Sequence, residues 1–204
     1  MAELKDQMIP PQEEGTETNT EQSKELDTPA QAKEFYLLVK QRLLNVNDWE
    51  KLCGAGSADF TLTDQQGTEA DRAAQQHDHF RIDIPGPGTV TGQGYDWVRI
   101  ESIEEVSSQE DDTECITIRV RPATNPKGGG DDVAHFFTDD ATSNFMVCRR
   151  GRTVTAGVYG RNEKPNTDAE KAVDKARNTM VALSAIAGIS KLQWKSLVNG
   201  LINA

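Results

Sequence analysis

Two histidines, His77 and His79, flank Asp78 just before a run of alternating apolar residues. Were both in one strand, their side chains would share a face, which is a geometry that suits two ligands of a metal ion. His135 would complete such a site only if the fold brought it close. The alternative is that His77 borders a polar loop as a solvated residue without a function. That alternative is favoured, so we expect no metal and no other cofactor.

Paired carboxylates are a second source of chemistry, and three such pairs occur, Asp111-Asp112, Asp131-Asp132 and Asp139-Asp140. Adjacent acids in polar loops are usually solvated turn formers. The pair at Asp139 and Asp140 differs because phenylalanines flank it, and apolar walls would raise the pKa of a carboxyl group there. Neither a nucleophile elbow nor a phosphate-binding or dinucleotide-binding glycine pattern is present.

Basic residues concentrate in two parts of an acidic chain, and residues 115–127 contain three of them, Arg119, Arg121 and Lys127, with no acid. Residues 144–164 contain one acid and five basic residues, Arg149, Arg150, Arg152, Arg161 and Lys164. One interpretation is that these arginines pair with the acidic segment 101–114 across the sheet. The other is that they form a face that binds an anionic small molecule or an acidic protein.

Tyr95 and Trp97 follow a segment rich in Pro and Gly, residues 85–94, which predicts shaped turns. Both rings offer a flat apolar surface with a polar handle, although packing in the core is the simpler role. The predicted ligand-binding residues are these two aromatics and four arginines, Arg149, Arg150, Arg152 and Arg161.

Overall charge and cysteine content limit the function classes. The chain has 204 residues and a formal net charge of −11, which argues against nucleic acid as a partner. Three cysteines are too few for a disulfide framework, and Cys115 and Cys148 fall in apolar runs, so we expect free, buried thiols. No apolar stretch is long enough to cross a membrane, and no leader pattern is seen, so we expect a cytoplasmic protein.

The first 27 residues are polar and acidic with no apolar period, which predicts a disordered tail ahead of a single domain over residues 28–204. Thr28 and Gln31 have the spacing of a capping box, with Pro29 at the first helical position. Apolar residues then recur every three or four positions, which predicts one helix ending at Gly54.

Six or seven segments with alternating apolar residues follow, and short loops join them. Short connections favour antiparallel neighbours. Two further capping boxes predict helices over residues 167–187 and from Ser190. The predicted fold is α+β, a strongly curved antiparallel sheet or partial barrel, preceded by one helix and followed by two C-terminal helices.

The sequence resembles no family whose function could be transferred. The favoured function is a binding or interaction module for an anionic small ligand or an acidic protein. One alternative is an enzyme whose cavity lies between the sheet and the helices and uses His77 and His79, or Asp139 and Asp140. Another is a self-associating domain, through a sheet edge or the terminal helix.

Overall fold

A computed structural model describes residues 7–54, 57–83, 94–128, 133–165 and 191–204. Its centre is one unclosed, curled sheet of seven strands in the order β1-β7-β6-β5-β4-β3-β2, with every neighbouring pair antiparallel. The strands are β1 Thr16–Glu25, β2 Asp59–Thr63, β3 His79–Asp83, β4 Asp96–Ser108, β5 Thr113–Pro122, β6 Thr142–Arg150 and β7 Thr153–Glu163. The α+β class and the antiparallel sheet are confirmed.

The N-terminal segment departs from the expectation of disorder. Residues Thr16–Glu25 form β1 and pair with β7 along almost their full length, so a strand precedes the first helix. Most of its side chains are exposed, which is why no apolar period marks it. Its stability comes instead from backbone hydrogen bonds to the edge of the sheet, which composition does not reveal. The prediction of disorder was wrong for this segment.

The predicted capping box at Thr28 is present and opens α1, Pro29–Leu44. The helix ends at Leu44 rather than at the predicted Gly54, because the chain turns at Asn45 into a short 3₁₀ helix, Val46–Asp48. A second helix, α2, then covers Trp49–Cys53.

At the C-terminus, residues 191–203 are helical and form α3, in agreement with the last predicted helix. The helix predicted over 167–187 lies outside the described residues. Arg42 on α1 donates to the carbonyl oxygen of Leu201 at 2.7 Å, which joins α1 to α3. No helix in the described ranges is long and apolar enough to cross a membrane.

The helices cover one face of the sheet, which we call the inner face. Alternate residues of all strands from β2 to β7 point into this interface and are buried. Its centre is aromatic: Trp49 packs edge-on against Phe60 and Phe80 with ring centroids 5.4 and 5.7 Å apart, and Trp194 of α3 packs on Phe145 at 5.1 Å. Side chains therefore fill the described part of this interface.

The opposite, outer face carries a smaller apolar cluster, and it contains a disulfide. Cys115 on β5 and Cys148 on β6 lie directly opposite each other and are bonded, so the prediction of two free thiols was wrong. Their sequence separation gave no hint of this, because strand register alone places them together. A disulfide is rare in a reducing cytoplasm, so this bond does not support the expected location.

Residues before β1 cover that cluster. Met8 and Ile9 are buried against the two cysteines and Tyr159. Arg119 on β5 donates to the carbonyl oxygen of Met8 at 2.8 Å, which holds the segment on the sheet. The chain then reverses at Gly15, whose φ of 73° lies in the left-handed region that glycine tolerates best.

Candidate functional site

Arg149, the first of the predicted ligand-binding arginines, is used inside the protein. Its side chain is only 6% exposed, and it donates to Glu114 at 2.9 Å and to Asp112 at 2.7 Å. A third hydrogen bond reaches the carbonyl oxygen of Gly151 at 2.9 Å. The hydrogen bond from Arg149 holds the pKa of Asp112 below its usual range. These contacts join the β6–β7 turn to the β4–β5 hairpin, as the pairing interpretation expected.

The other three predicted arginines do not converge with Arg149 on one site. Arg152 is half-exposed and pairs with the carboxylate of Glu25. Arg161 is buried and donates to carbonyl oxygens, at 2.7 Å to Gly160 and at 3.3 Å to Thr18 on β1. Arg150 is exposed at the end of β6. Two of these three therefore also serve internal contacts.

Tyr95 and Trp97 lie far along the sheet from those arginines, since β5 separates β4 from β6. Trp97 is 2% exposed, and its backbone N–H donates to Ala134 at 2.8 Å. Tyr95 is half-buried, and the guanidinium carbon of Arg81 lies 4.8 Å from the centre of its ring. The geometry favours core packing for Trp97 and a cation–π contact for Tyr95.

The predicted metal and acid–base candidates are separated from one another. His77 has a φ of 74° and lies in a turn before β3, so it does not share a strand face with His79. Asp139 and Asp140 are both exposed in a turn, without the apolar walls that the sequence suggested. Among the described residues no group of three potential ligands could hold a metal ion.

A row of basic side chains, which we call the basic row, crosses the outer face at the other end of the sheet. His79 on β3, Arg99 on β4 and Arg121 on β5 lie directly opposite one another in successive strands. They share the outer face because the residues beside each of them, including Phe80, are buried in the inner core. Directly opposed residues have Cβ atoms about 4.5–5.5 Å apart, so the three side chains are neighbours.

The three members of the basic row differ in how their charge is balanced. Arg121 donates to Glu101 at 2.5 Å and to the carbonyl oxygen of Asp139 at 2.6 Å. Arg99 is exposed and makes neither a hydrogen bond nor an ion pair within the described ranges. Burial, and then the charge of Arg99, lower the pKa of His79, which favours its neutral form. Arg99 is thus the uncompensated cation of the row.

A buried carboxyl lies near the start of the same strand. Asp96 is 5% exposed, and burial raises its pKa to about 7. One oxygen accepts a hydrogen bond from the backbone of Phe136, whereas Oδ1 has no partner in the described part of the chain. His135, next to Phe136, is also buried, and burial lowers its pKa to about 3.

One surface cleft of about 370 Å³ lies between α1 and residues 71–73. Leu37 and Leu44 line it, together with Lys40 and Arg72. Arg72 is held by two hydrogen bonds to Asp78, at 2.6 and 2.9 Å, and Lys40 pairs with Glu105 at 2.6 Å. Because both cations already have acidic partners, the cleft presents little net charge to a ligand.

Sequence reasoning missed Arg99 and Asp96, although part of the signal was there. The alternation of Val98 and Ile100 places Arg99 on the opposite face, together with Trp97. What the alternation cannot give is the register with β3 and β5, which brings His79 and Arg121 beside Arg99. Asp96 carried no signal, because its burial depends on the segment around Phe136.

Comparison with known proteins gives no family. No family model matches the chain, and no curated protein does. Solved structures with similar architecture include hypothetical protein jhp0584 from Helicobacter pylori, at 15% identity, TM-score 0.45 and coverage of 90% of this chain and 86% of that one. A truncated norcoclaurine synthase from Thalictrum flavum is 12% identical, with TM-score 0.32 and coverage of 88% and 96%.

Ginseng major latex-like protein 151 from Panax ginseng is similar at 12% identity, TM-score 0.31 and coverage of 87% of this chain and 95% of that chain. Identities and TM-scores this low carry no argument about what the present chain binds or catalyses. The functional argument therefore depends on the residues of this chain alone.

Proposed function

We propose that the protein is a binding module for a small anionic molecule, and that the basic row is its site. The observation that carries the proposal is Arg99, an exposed guanidinium directly opposite Arg121 and with no acidic partner among the residues described. The proposed ligand is still an anion, as the sequence suggested, but the proposed site lies on β3, β4 and β5 rather than on the β6–β7 hairpin.

The chemistry of the row suits carboxylates and phosphates. A guanidinium presents a planar set of donors that matches two oxygens of either group. Like charges directly opposite each other in a sheet repel and destabilise it. Glu101 balances the charge of Arg121 but not that of Arg99. A bound anion would relieve Arg99 as well. His79 lies at the β3 side of the row, but its ring is hydrogen-bonded to the backbone of Asp64, so Arg99 is the member of the row that would meet the anion.

The test is calorimetric titration of the full chain with citrate, a compact tricarboxylate, at low ionic strength. We expect saturable binding that weakens at least tenfold in Arg99→Gln. Arg150→Gln is the matched control, because Arg150 is also an exposed arginine of the sheet but lies on β6, outside the basic row, and its binding should match that of the wild type.

If Arg99→Gln and Arg150→Gln lose the same amount of citrate affinity, citrate binding depends on the overall charge of the protein. That result would overturn the proposed site. Since the chain has a net charge of −11, non-specific attraction of anions is weak, which makes a saturable signal informative. A glutamate-rich peptide serves as the second probe. If it binds much more tightly than citrate and still depends on Arg99, the ligand is an acidic protein rather than a small molecule.

A further inference from the structure

The disulfide on the outer face is covered by the chain's own N-terminal segment. Cys115 and Cys148 are 1% and 4% exposed, and Met8 and Ile9 are buried in the same cluster. We call residues 7–15 the strap. A disulfide is reduced by direct attack of a thiolate on one of its sulfur atoms, so the reaction requires access to sulfur. A covered disulfide therefore resists reduction for as long as its cover stays in place.

Met8 lies over the junction of β5 and β6, next to the disulfide. Thr117 follows Cys115 by two positions on β5, and its partner on β6 is Met146, two positions before Cys148. All four therefore share the outer face. The hydroxyl of Thr117 donates to Met8 Sδ at 3.8 Å. The strap residue Met8 is thus one cross-strand pair away from the disulfide.

Tyr159 on β7 forms a second part of the cover. A Cβ atom at Gly157 would lie 2.4 Å from the phenol oxygen, so the Tyr159 ring extends over this glycine. Its hydroxyl donates to Glu21 on β1 at 2.8 Å. This part of the cover belongs to the sheet and is fixed, whereas the strap belongs to no strand.

The strap is attached at its two ends. Arg119 donates to the carbonyl oxygen of Met8 at 2.8 Å. At the other end, Oδ1 of Asn162 accepts from the backbone N–H groups of Glu13 at 2.8 Å and Glu14 at 3.2 Å. Breaking these contacts exposes far less apolar surface than unfolding the sheet, so the strap can open in a local step.

The sheet does not depend on the disulfide for its register. Strands β5 and β6 pair continuously from Thr113 to Val120, and each has a further neighbour in β4 or β7. Reduction therefore breaks one restraint and leaves this backbone pairing in place. A disulfide in such a position can be broken and formed again in the folded protein.

We propose that the disulfide between Cys115 and Cys148 is a reversible redox switch, that the strap controls access to it, and that its reductant is a dithiol. One thiolate of the dithiol attacks a cysteine sulfur, the S–S bond breaks, and the other cysteine leaves as a thiolate and takes up a proton. The second thiol of the reductant then attacks the mixed disulfide and releases the first cysteine. Two electrons pass to the protein, and the dithiol becomes a cyclic disulfide.

The experiment follows reduction of the full, oxidised chain by dithiothreitol at pH 8. Samples are quenched in acid, alkylated with a maleimide under denaturing conditions and weighed by mass spectrometry. Oxidised protein carries one maleimide, at Cys53, and reduced protein carries three. We expect Met8→Ala and Arg119→Gln each to be reduced at least about tenfold faster than the wild type, because both loosen the strap.

Ile118→Val is the matched control, because Ile118 lies on the same strand as Arg119 but is buried in the inner core. This variant lowers overall stability without contacting the strap, so its reduction rate should equal that of the wild type. The wild-type rate should also change little in urea concentrations below the unfolding transition, since local opening exposes little surface.

Three results would overturn the proposal. Equal rates for the wild type, Met8→Ala and Arg119→Gln would show that the strap does not limit access. An equal acceleration in Ile118→Val would show that reduction follows unfolding of the whole domain. Loss of the cooperative unfolding transition in the reduced wild type would show that the disulfide is required for the fold and is not a reversible switch.

Discussion

The two ends of the sheet differ in whether their polar side chains have hydrogen-bond or ion-pair partners. At the β1–β7–β6 end, the charged and phenolic groups are paired: Arg149 meets two carboxylates, and Tyr159 donates to Glu21 at 2.8 Å. One buried hydroxyl near the end of β7, that of Thr138, has no partner among the described residues. At the β3–β4–β5 end, His79 Nδ1 and Asp96 Oδ1 are buried without partners among the described residues, and Arg99 is exposed without one. The first end pairs its charged groups internally, whereas the second leaves the exposed guanidinium of Arg99 without an acidic partner among the described residues.

The prediction with the largest expected effect concerns how much the disulfide between β5 and β6 stabilises the fold. Replacing both Cys115 and Cys148 by alanine removes a bond that closes a loop between residues 33 apart in sequence. The loss of that restraint on the unfolded chain should lower the free energy of unfolding by about 3 kcal/mol. Urea unfolding monitored by fluorescence measures this. A change below about 1 kcal/mol would show that β5 and β6 are held by pairing alone.

The second prediction concerns Asp96 at the other end. Burial raises its pKa in the folded protein to about 7, from 3.8 for an unperturbed group. The folded state therefore holds this proton more tightly, and wild-type stability is lost as the pH rises from about 4 to about 7. Asp96→Asn cannot ionise, so its stability relative to the wild type should rise over that range by about 3 kcal/mol and stay constant above pH 7.5.

Thermal unfolding at half-unit pH steps gives this difference curve. Asp139→Asn is the matched control for the loss of one carboxyl group, because Asp139 is exposed in a turn. A flat curve for Asp96→Asn would mean that burial does not raise the pKa of Asp96 in the folded protein.

The third prediction removes the internal arginine. Arg149→Met keeps much of the side-chain length but leaves Glu114 and Asp112 without their shared partner. We expect a loss of about 2 kcal/mol, below the cost of breaking a fully buried pair because Asp112 is half-exposed. Urea unfolding at pH 7 measures it. A loss no larger than that of Arg150→Met would contradict an internal role for Arg149.

These residues also show how far sequence reasoning reaches. Periodicity predicted six of the seven strands, since each alternates apolar side chains, and the capping box fixed the start of α1 at Thr28. It failed at β1, whose polar residues are held through backbone bonds to β7. The arginines of residues 144–164 were recognised as a set, but their partners depend on register and burial, so Arg149 and Arg99 could not be distinguished beforehand.

The last prediction, for Arg99→Gln, has the smallest expected effect on stability and bears most directly on function. Arg99 lies opposite Arg121 without a partner of its own, so Arg99→Gln should remove a repulsion and raise the free energy of unfolding by up to about 0.5 kcal/mol. The same variant should lose citrate binding tenfold. Both results together would show that Arg99 weakens the fold while it strengthens binding, a trade of stability for function that is common at binding sites. Urea unfolding at low and high salt measures the first part, because screening should shrink the gain. If Arg99→Gln instead destabilises the protein, Arg99 has an internal partner after all, and the contrast between the two ends of the sheet would not hold.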